Sequence, residues 1–101
     1  MTQILRRERI VKALEQLRPE LARLGVQHMY LFGSVARDEA RPDSDVDLFL
    51  DHRKPGFDLF DLVTVKHMIE QTLGVAADVT TRGSFHPLLR ENIEQSAIPV
   101  F

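Results

Sequence analysis

The chain has 101 residues, 44% of them hydrophobic, enough to bury one core and consistent with a single domain spanning 1–101 with no separate substrate domain. It contains no cysteine and no long apolar run, which excludes disulfide frameworks, thiolate zinc sites, cysteine nucleophiles, a membrane-spanning helix and a recognisable signal peptide, and fits a cytoplasmic protein. A formal net charge of −2 argues against a free-standing nucleic-acid binder, whose surface would carry a basic face.

The local exception is Arg6-Arg7-Arg9, read as a solvated helix face, with a contact surface for an acidic partner or RNA as the sharper alternative. Ile10, Leu14, Leu17, Leu21 and Leu24 then recur at steps of four and three, the spacing of one helical face. Pro19 either kinks that helix or opens a second one in whose first turn its missing N–H costs nothing. Gln27 to Phe32 reads as a strand in which Met29 fills the core and Tyr30 packs in the core or on the sheet face, with a phenol that accepts a nucleotide as the less favoured alternative. Val35 to Ala40 reads as a short helix, Arg41-Pro42-Asp43 as a turn, and Val46 to Leu50 as a second strand with Asp51 as a turn residue at its end.

After the loop His52–Gly56, Asp58 is placed to cap a helix running to about Leu73, and Gly74 to end it, with Leu59, Leu62, Val63, Ile69 and Leu73 as the face toward the sheet and Met68 as a gap-filler. Val75 to Thr81 alternates, with Val75, Ala77 and Val79 on one side and Ala76, Asp78 and Thr80 on the other. Ser84 is expected to cap a helix with Pro87 in its first turn, packing Leu88, Leu89 and Ile93, and Ile98 to Phe101 form an extended tail. Strands alternating with helices in this way predict an α/β (α+β) fold, a small mixed sheet covered mainly on one face.

Chemistry concentrates in two runs, Leu31-Phe32-Gly33-Ser34-Val35-Ala36-Arg37 and Ser44-Asp45-Val46-Asp47-Leu48. Gly33 lets the backbone approach a phosphate, the Ser34 hydroxyl can bond one of its oxygens, and amides of a helix opening at Val35 can face the anion. Asp45 and Asp47, two apart on a strand, leave the same face while Val46 and Leu48 turn inward, and two hard oxygen ligands on one face suit Mg²⁺ carrying a nucleoside triphosphate. Asp78 stands alone on the later strand and joins the other two acids if that strand pairs beside theirs; otherwise it is a strand-edge acid in an ion pair. Arg37 lies one helical turn past Ser34, where it can reach a phosphate or pair with Glu39 or Asp43. His28, His52, His67 and His86 show no zinc spacing, and Ser84 lacks the context of a nucleophile elbow.

Gly-Ser, ten residues, then Asp-x-Asp resembles the nucleotidyltransferase superfamily that includes DNA polymerase β and kanamycin nucleotidyltransferase. More narrowly, the chain from about Leu24 onward resembles the minimal nucleotidyltransferase (MNT) family, in which many members carry glycine where this chain has Asp38. The resemblance implies that Asp45 and Asp47 hold two Mg²⁺ ions. Gly33, Ser34 and Arg37 would bind ATP, and Asp78 would bind the second metal or help to deprotonate the nucleophile. It also implies a helical HEPN toxin as partner. MNT members paired with HEPN proteins resemble type VII antitoxins that transfer AMP from ATP to a tyrosine of the toxin. Two other readings stay open: a module that neutralises a HEPN partner by docking, and a transferase acting on a small molecule or an RNA end. The acceptor and the homo- or hetero-oligomeric state lie beyond the motifs.

Overall fold

The computed structural model describes residues 6–101. Its helices α1 (Arg7–Gln16) and α2 (Arg18–Arg23) are separated at Leu17, with Pro19 in the first turn of α2. The chain resolves the proline ambiguity by starting a new helix, whose first turn has no use for the absent N–H. The apolar stripe survives the break: Ile10, Leu14 and Leu21 are buried, and Leu17 and Leu24 pack against the same core.

Strands β1 (Val26–Phe32), β2 (Val46–His52), β3 (Ala77–Thr81) and β4 (Ile98–Pro99) form one mixed sheet in the order β3-β2-β1-β4. β1 is antiparallel to both β2 and β4, whereas β2 and β3 run parallel. The period-two alternation divides the sheet cleanly. Met29, Leu31, Val46, Leu48, Leu50, Ala77 and Val79 enter the core. His28, Tyr30, Phe32, Asp47, Phe49, Asp51, Asp78 and Thr80 occupy the other face. The β3 strand starts two residues later than the alternation suggests, because Val75 and Ala76 form the approach from α4, with the Ala76 carbonyl accepting from Val46 N–H.

Helix α4 (Leu59–Leu73) has the predicted limits. Asp58 and Asp61 form a reciprocal capping box at its start, and Gly74, at φ 73°, ends it. Its buried face differs from the expected one. Val65 and Ile69 are buried with Leu62, Met68 and Leu73 beside them, whereas Leu59 and Val63 are exposed, as is Phe60. At about 100° per residue, Val63 sits roughly 120° and Phe60 roughly 180° from Ile69, so neither can share its face.

Helix α3 also departs from expectation, spanning Gly33–Ala36 rather than Val35 to Ala40. Asp38 ends it in the left-handed region at φ 55° and is held there by Arg7, whose backbone N–H reaches Asp38 Oδ1 at 3.0 Å. The guanidinium of Arg7 donates to the Ala36 carbonyl at 3.0 Å, so one member of the basic cluster ties α1 to the α3 turn. Helix α5 (Pro87–Ser96) is capped by His86 Nδ1, which accepts from Leu88 N–H, and not by Ser84. A 3-10 turn at Arg82–Ser84 places the Ser84 hydroxyl 2.7 Å from that of Thr81, leaving His86 at the helix start. Leu88 and Leu89, expected to pack, are exposed, and only Ile93 of that trio is partly covered. Among the described residues no helix is long and apolar enough to cross a membrane.

Candidate active site

The site is built where β1 ends and β2 begins. In the ladder Phe32 lies opposite Asp47, so the turn at Gly33 is carried directly over the second carboxylate. Gly33 has φ 77°, and a β-carbon added there would collide with the Asp47 carboxylate. Two independent constraints, backbone hand and space, therefore call for glycine. The following residues open α3, whose first-turn amides have no intrahelical acceptor and remain available to an anion. Ser34 is half-buried in that turn, and its carbonyl accepts from the amides of Arg37 and Glu39.

On the β2 side, the turn from Arg41 to Ser44 closes reciprocally. Ser44 N–H donates to the Arg41 carbonyl at 2.9 Å, and Arg41 N–H donates to Ser44 Oγ at 2.8 Å. That closure delivers exposed Asp45 to the head of β2. Asp78 pairs in register with Asp47, because β3 runs parallel beside β2, so the condition for convergence of the third acid is met. A carboxylate on each of two neighbouring strands, with Asp45 close by, crowds like charge. Partial burial, then Asp78 and Asp45, raise the pKa of Asp47 above the ordinary carboxylate value, and Arg37 pulls it back in part.

Arg37 is thus within electrostatic reach of Asp47, while its Nε is bonded to Glu39 at 3.1 Å, one of the two carboxylate partners expected for it. That pair is exposed and weak, so the guanidinium can be drawn to a phosphate at small cost. Among the described residues no group of three or more His, Asp or Glu side chains is placed to hold a metal ion, so Asp45, Asp47 and Asp78 do not form a three-ligand cluster in this structure. Mg²⁺ on this face would rest on one or two carboxylates, with substrate phosphates and water completing its shell. The crowded acids supply the donor chemistry: Asp47 is raised first by burial and then by Asp78 and Asp45, and a dication would offset that second, like-charge part.

Four aromatic rings continue this face beyond the acids. Tyr30 stacks on Phe49 with centroids 4.8 Å apart, and Phe85 meets Phe32 and Phe49 edge-on at 5.4 and 5.7 Å. Arg82 lies over the Tyr30 and Phe49 rings at 4.8 and 5.1 Å. It grips Asp51 through two hydrogen bonds of 2.8 and 3.0 Å and also reaches Glu94. Asp51 is therefore a β2 residue with a fixed cation partner, not a turn residue. Sequence reasoning passed over Arg82 and Phe85 altogether. A signal existed in Asp51, which is in phase with Asp47 and Phe49 and so needed a cation on that face.

Comparison with known proteins agrees with this geometry. The nucleotidyltransferase domain family matches residues 8–100 of the chain. A Methanocaldococcus jannaschii protein named "putative protein adenylyltransferase" is 40% identical over 82 residues, covering 81% of this chain and 87% of its own. The solved structure of a "putative minimal nucleotidyltransferase" is 38% identical, with a TM-score of 0.73 over 88% of this chain and 94% of that one. More distantly, a chain in the solved complex of tri-AMPylated Shewanella oneidensis HEPN toxin with MNT antitoxin shares the fold at 17% identity, with a TM-score of 0.63 over 90% of this chain and 71% of that one. With a glycine turn set over paired strand carboxylates and a family match across nearly its whole length, the chain belongs to the nucleotidyltransferase domain family, among the minimal nucleotidyltransferases.

Proposed function

We propose that the chain transfers AMP from ATP to a hydroxyl of a partner protein, a tyrosine of a HEPN-type toxin, and thereby acts as its antitoxin. The observation that carries this reading is the register of Asp47 beside Asp78 beneath the Gly33 turn, which sets two carboxylates next to backbone amides that could face an anion. Asp45 and Asp47 would hold Mg²⁺, with Asp78 as the ligand of a second ion or the acceptor of the nucleophile's proton. Bound there, two such ions neutralise charge that develops on the phosphoryl oxygens and on the departing pyrophosphate. Ser34 and the first-turn amides of α3 orient the triphosphate, and Arg37 exchanges Glu39 for a phosphate oxygen. A protein acceptor draws support from the adenylyltransferase name of the M. jannaschii relative, and a HEPN partner from the shared fold in the toxin–antitoxin complex.

The test is co-expression with the product of the adjacent gene, followed by MgATP and intact-mass measurement of both proteins. AMP mass on the partner is the expected result, together with loss of that mass and of protection from toxicity when Asp47 is replaced by Asn. An unmodified partner and intact protection by Asp47→Asn would instead mean neutralisation by docking alone.

A further inference from the structure

Away from the carboxylates, a half-open cavity of about 250 Å³ is lined by Arg18, Arg53, His28 and Gln27 together with Ala22, Gly25 and Val26, and by no acid. Arg18 and Ala22 of α2, Gly25, Gln27 and His28 around the start of β1, and Arg53 just after β2 form its walls. Val26 is opposite His52 in the ladder, which places the cavity at the end of β1 remote from Gly33, about 20 Å along the strand. In a chain of net charge −2, two arginines lining one space with no acid among the lining residues is a local concentration of positive charge.

The walls are held in place by specific contacts. Arg53 N–H donates to the Gly25 carbonyl at 2.9 Å. Gly25 has φ 101°, and a β-carbon on it would come within 2.7 Å of Lys54 Cβ, so the segments on the two sides of the cavity close on each other only through glycine. The guanidinium of Arg18 lies 5.3 Å from the centre of the Phe101 ring. Carbonyls that would repel an anion are occupied: the Ala22 oxygen accepts from Gly25 N–H and the Gly25 oxygen from Arg53 N–H. The β-ladder slips between Val26 and His28, leaving Gln27 unpaired at the cavity wall. Among the described residues the side chains of Arg18, Arg53 and His28 have no hydrogen-bonded or ion-paired partner.

We propose that this cavity binds a small phosphate anion of the size of inorganic pyrophosphate, with Arg18 and Arg53 as forked donors and Gln27 and His28 beside them. Guanidinium pairs match phosphate oxygens two at a time, which favours this class over halides or a lone carboxylate. The volume, about 250 Å³, lies below the roughly 300 Å³ at which pockets begin to enclose drug-sized ligands and accommodates a small phosphate. The site is distinct from the phosphate turn at Gly33 and does not depend on the proposed transfer reaction.

The experiment is an amide NMR titration of the full chain with sodium pyrophosphate in EDTA, against sodium chloride at matched ionic strength. Without divalent ions the crowded acids repel a polyanion, which keeps the two ends of the molecule separable. Saturable shifts at Gly25, Gln27, His28 and Arg53 are expected. Binding should weaken at least tenfold in Arg18→Gln/Arg53→Gln, and the melting temperature should hold because both side chains are exposed. Arg53→Lys, which keeps the charge and loses the fork, should give an intermediate loss. Identical shifts in chloride, shifts confined to Gly33–Asp47, or full affinity in the double variant would overturn the proposal. Saturation by poly-glutamate below the pyrophosphate concentration would overturn it too, assigning the cavity to an acidic peptide.

Discussion

Burial, Asp78 and Asp45 raise the Asp47 pKa above 3.8, and Arg37 offsets only part of that rise. An acid whose folded-state pKa lies above its unfolded value opposes folding when ionised. The penalty is absent below the unfolded value, grows as pH climbs through the window up to the raised value, and is fully present at neutral pH. Asp47→Asn should therefore raise the melting temperature of the ligand-free protein at pH 7 and leave it nearly unchanged at pH 3. The same variant should lose more than about a hundredfold in nucleotide transfer, because losing a first ligand costs more than the 10–100-fold typical of its supporting groups. Equal melting curves at pH 7 would remove the electrostatic strain assigned to this carboxylate. At the phosphate turn, Ser34→Ala leaves the backbone donors in place and should weaken ATP roughly ten- to hundredfold, the worth of one hydrogen bond to a charged group. Gly33→Ala introduces both a left-handed alanine and a clash with Asp47. It should bind ATP more weakly than Ser34→Ala and lose about 1–2 kcal/mol in denaturant unfolding.

At the scale of elements, the local signals worked where both ends of a segment were marked. Asp58 and Gly74 framed α4, because capping acts within a few residues, whereas Pro19 left a kink and a new helix both open and the structure takes the second. The inward face of α4 was less legible. Its sequence is apolar on more than one side, and only packing against β3 and α1 selects Val65 and Ile69 over Leu59 and Val63. That selection can be measured: Ile69→Ala should cost about 2–5 kcal/mol, while Phe60→Ser should stay within about 0.5 kcal/mol of the parent. The spacing of Asp45, just ahead of β2, and Asp47, on its outward face, was legible because a two-residue step is local. Asp78 joined them only through the parallel pairing of β3 with β2, a property of topology. Arg82 was beyond reach for the same reason, since its partner Asp51 lies 31 residues away and is met only after β3 and the 3-10 turn are formed. With both side chains largely covered and two hydrogen bonds between them, Arg82→Gln should destabilise the chain by about 2 kcal/mol.

Across the whole molecule, the exposed face of the sheet would be one long acidic strip, Asp45, Asp47, Asp78 and Asp51, were it not interrupted. The interruption is Phe49, only 1% exposed, together with Arg82, whose charge is spent on Asp51 and Glu94. Asp51 holds the guanidinium so firmly that its pKa is driven further up, which keeps the cation fixed at any physiological pH. On the proposed reading, a divalent ion on this face would find one landing place, beneath the Gly33 turn, and no second berth down the strand. Manganese makes the point visible through its paramagnetism. In the parent chain it should broaden amide signals around Asp45–Asp47 and Asp78 and spare those around Asp51, whereas in Arg82→Gln the broadening should spread to Asp51, the ion then dividing its time between a productive address and an idle one.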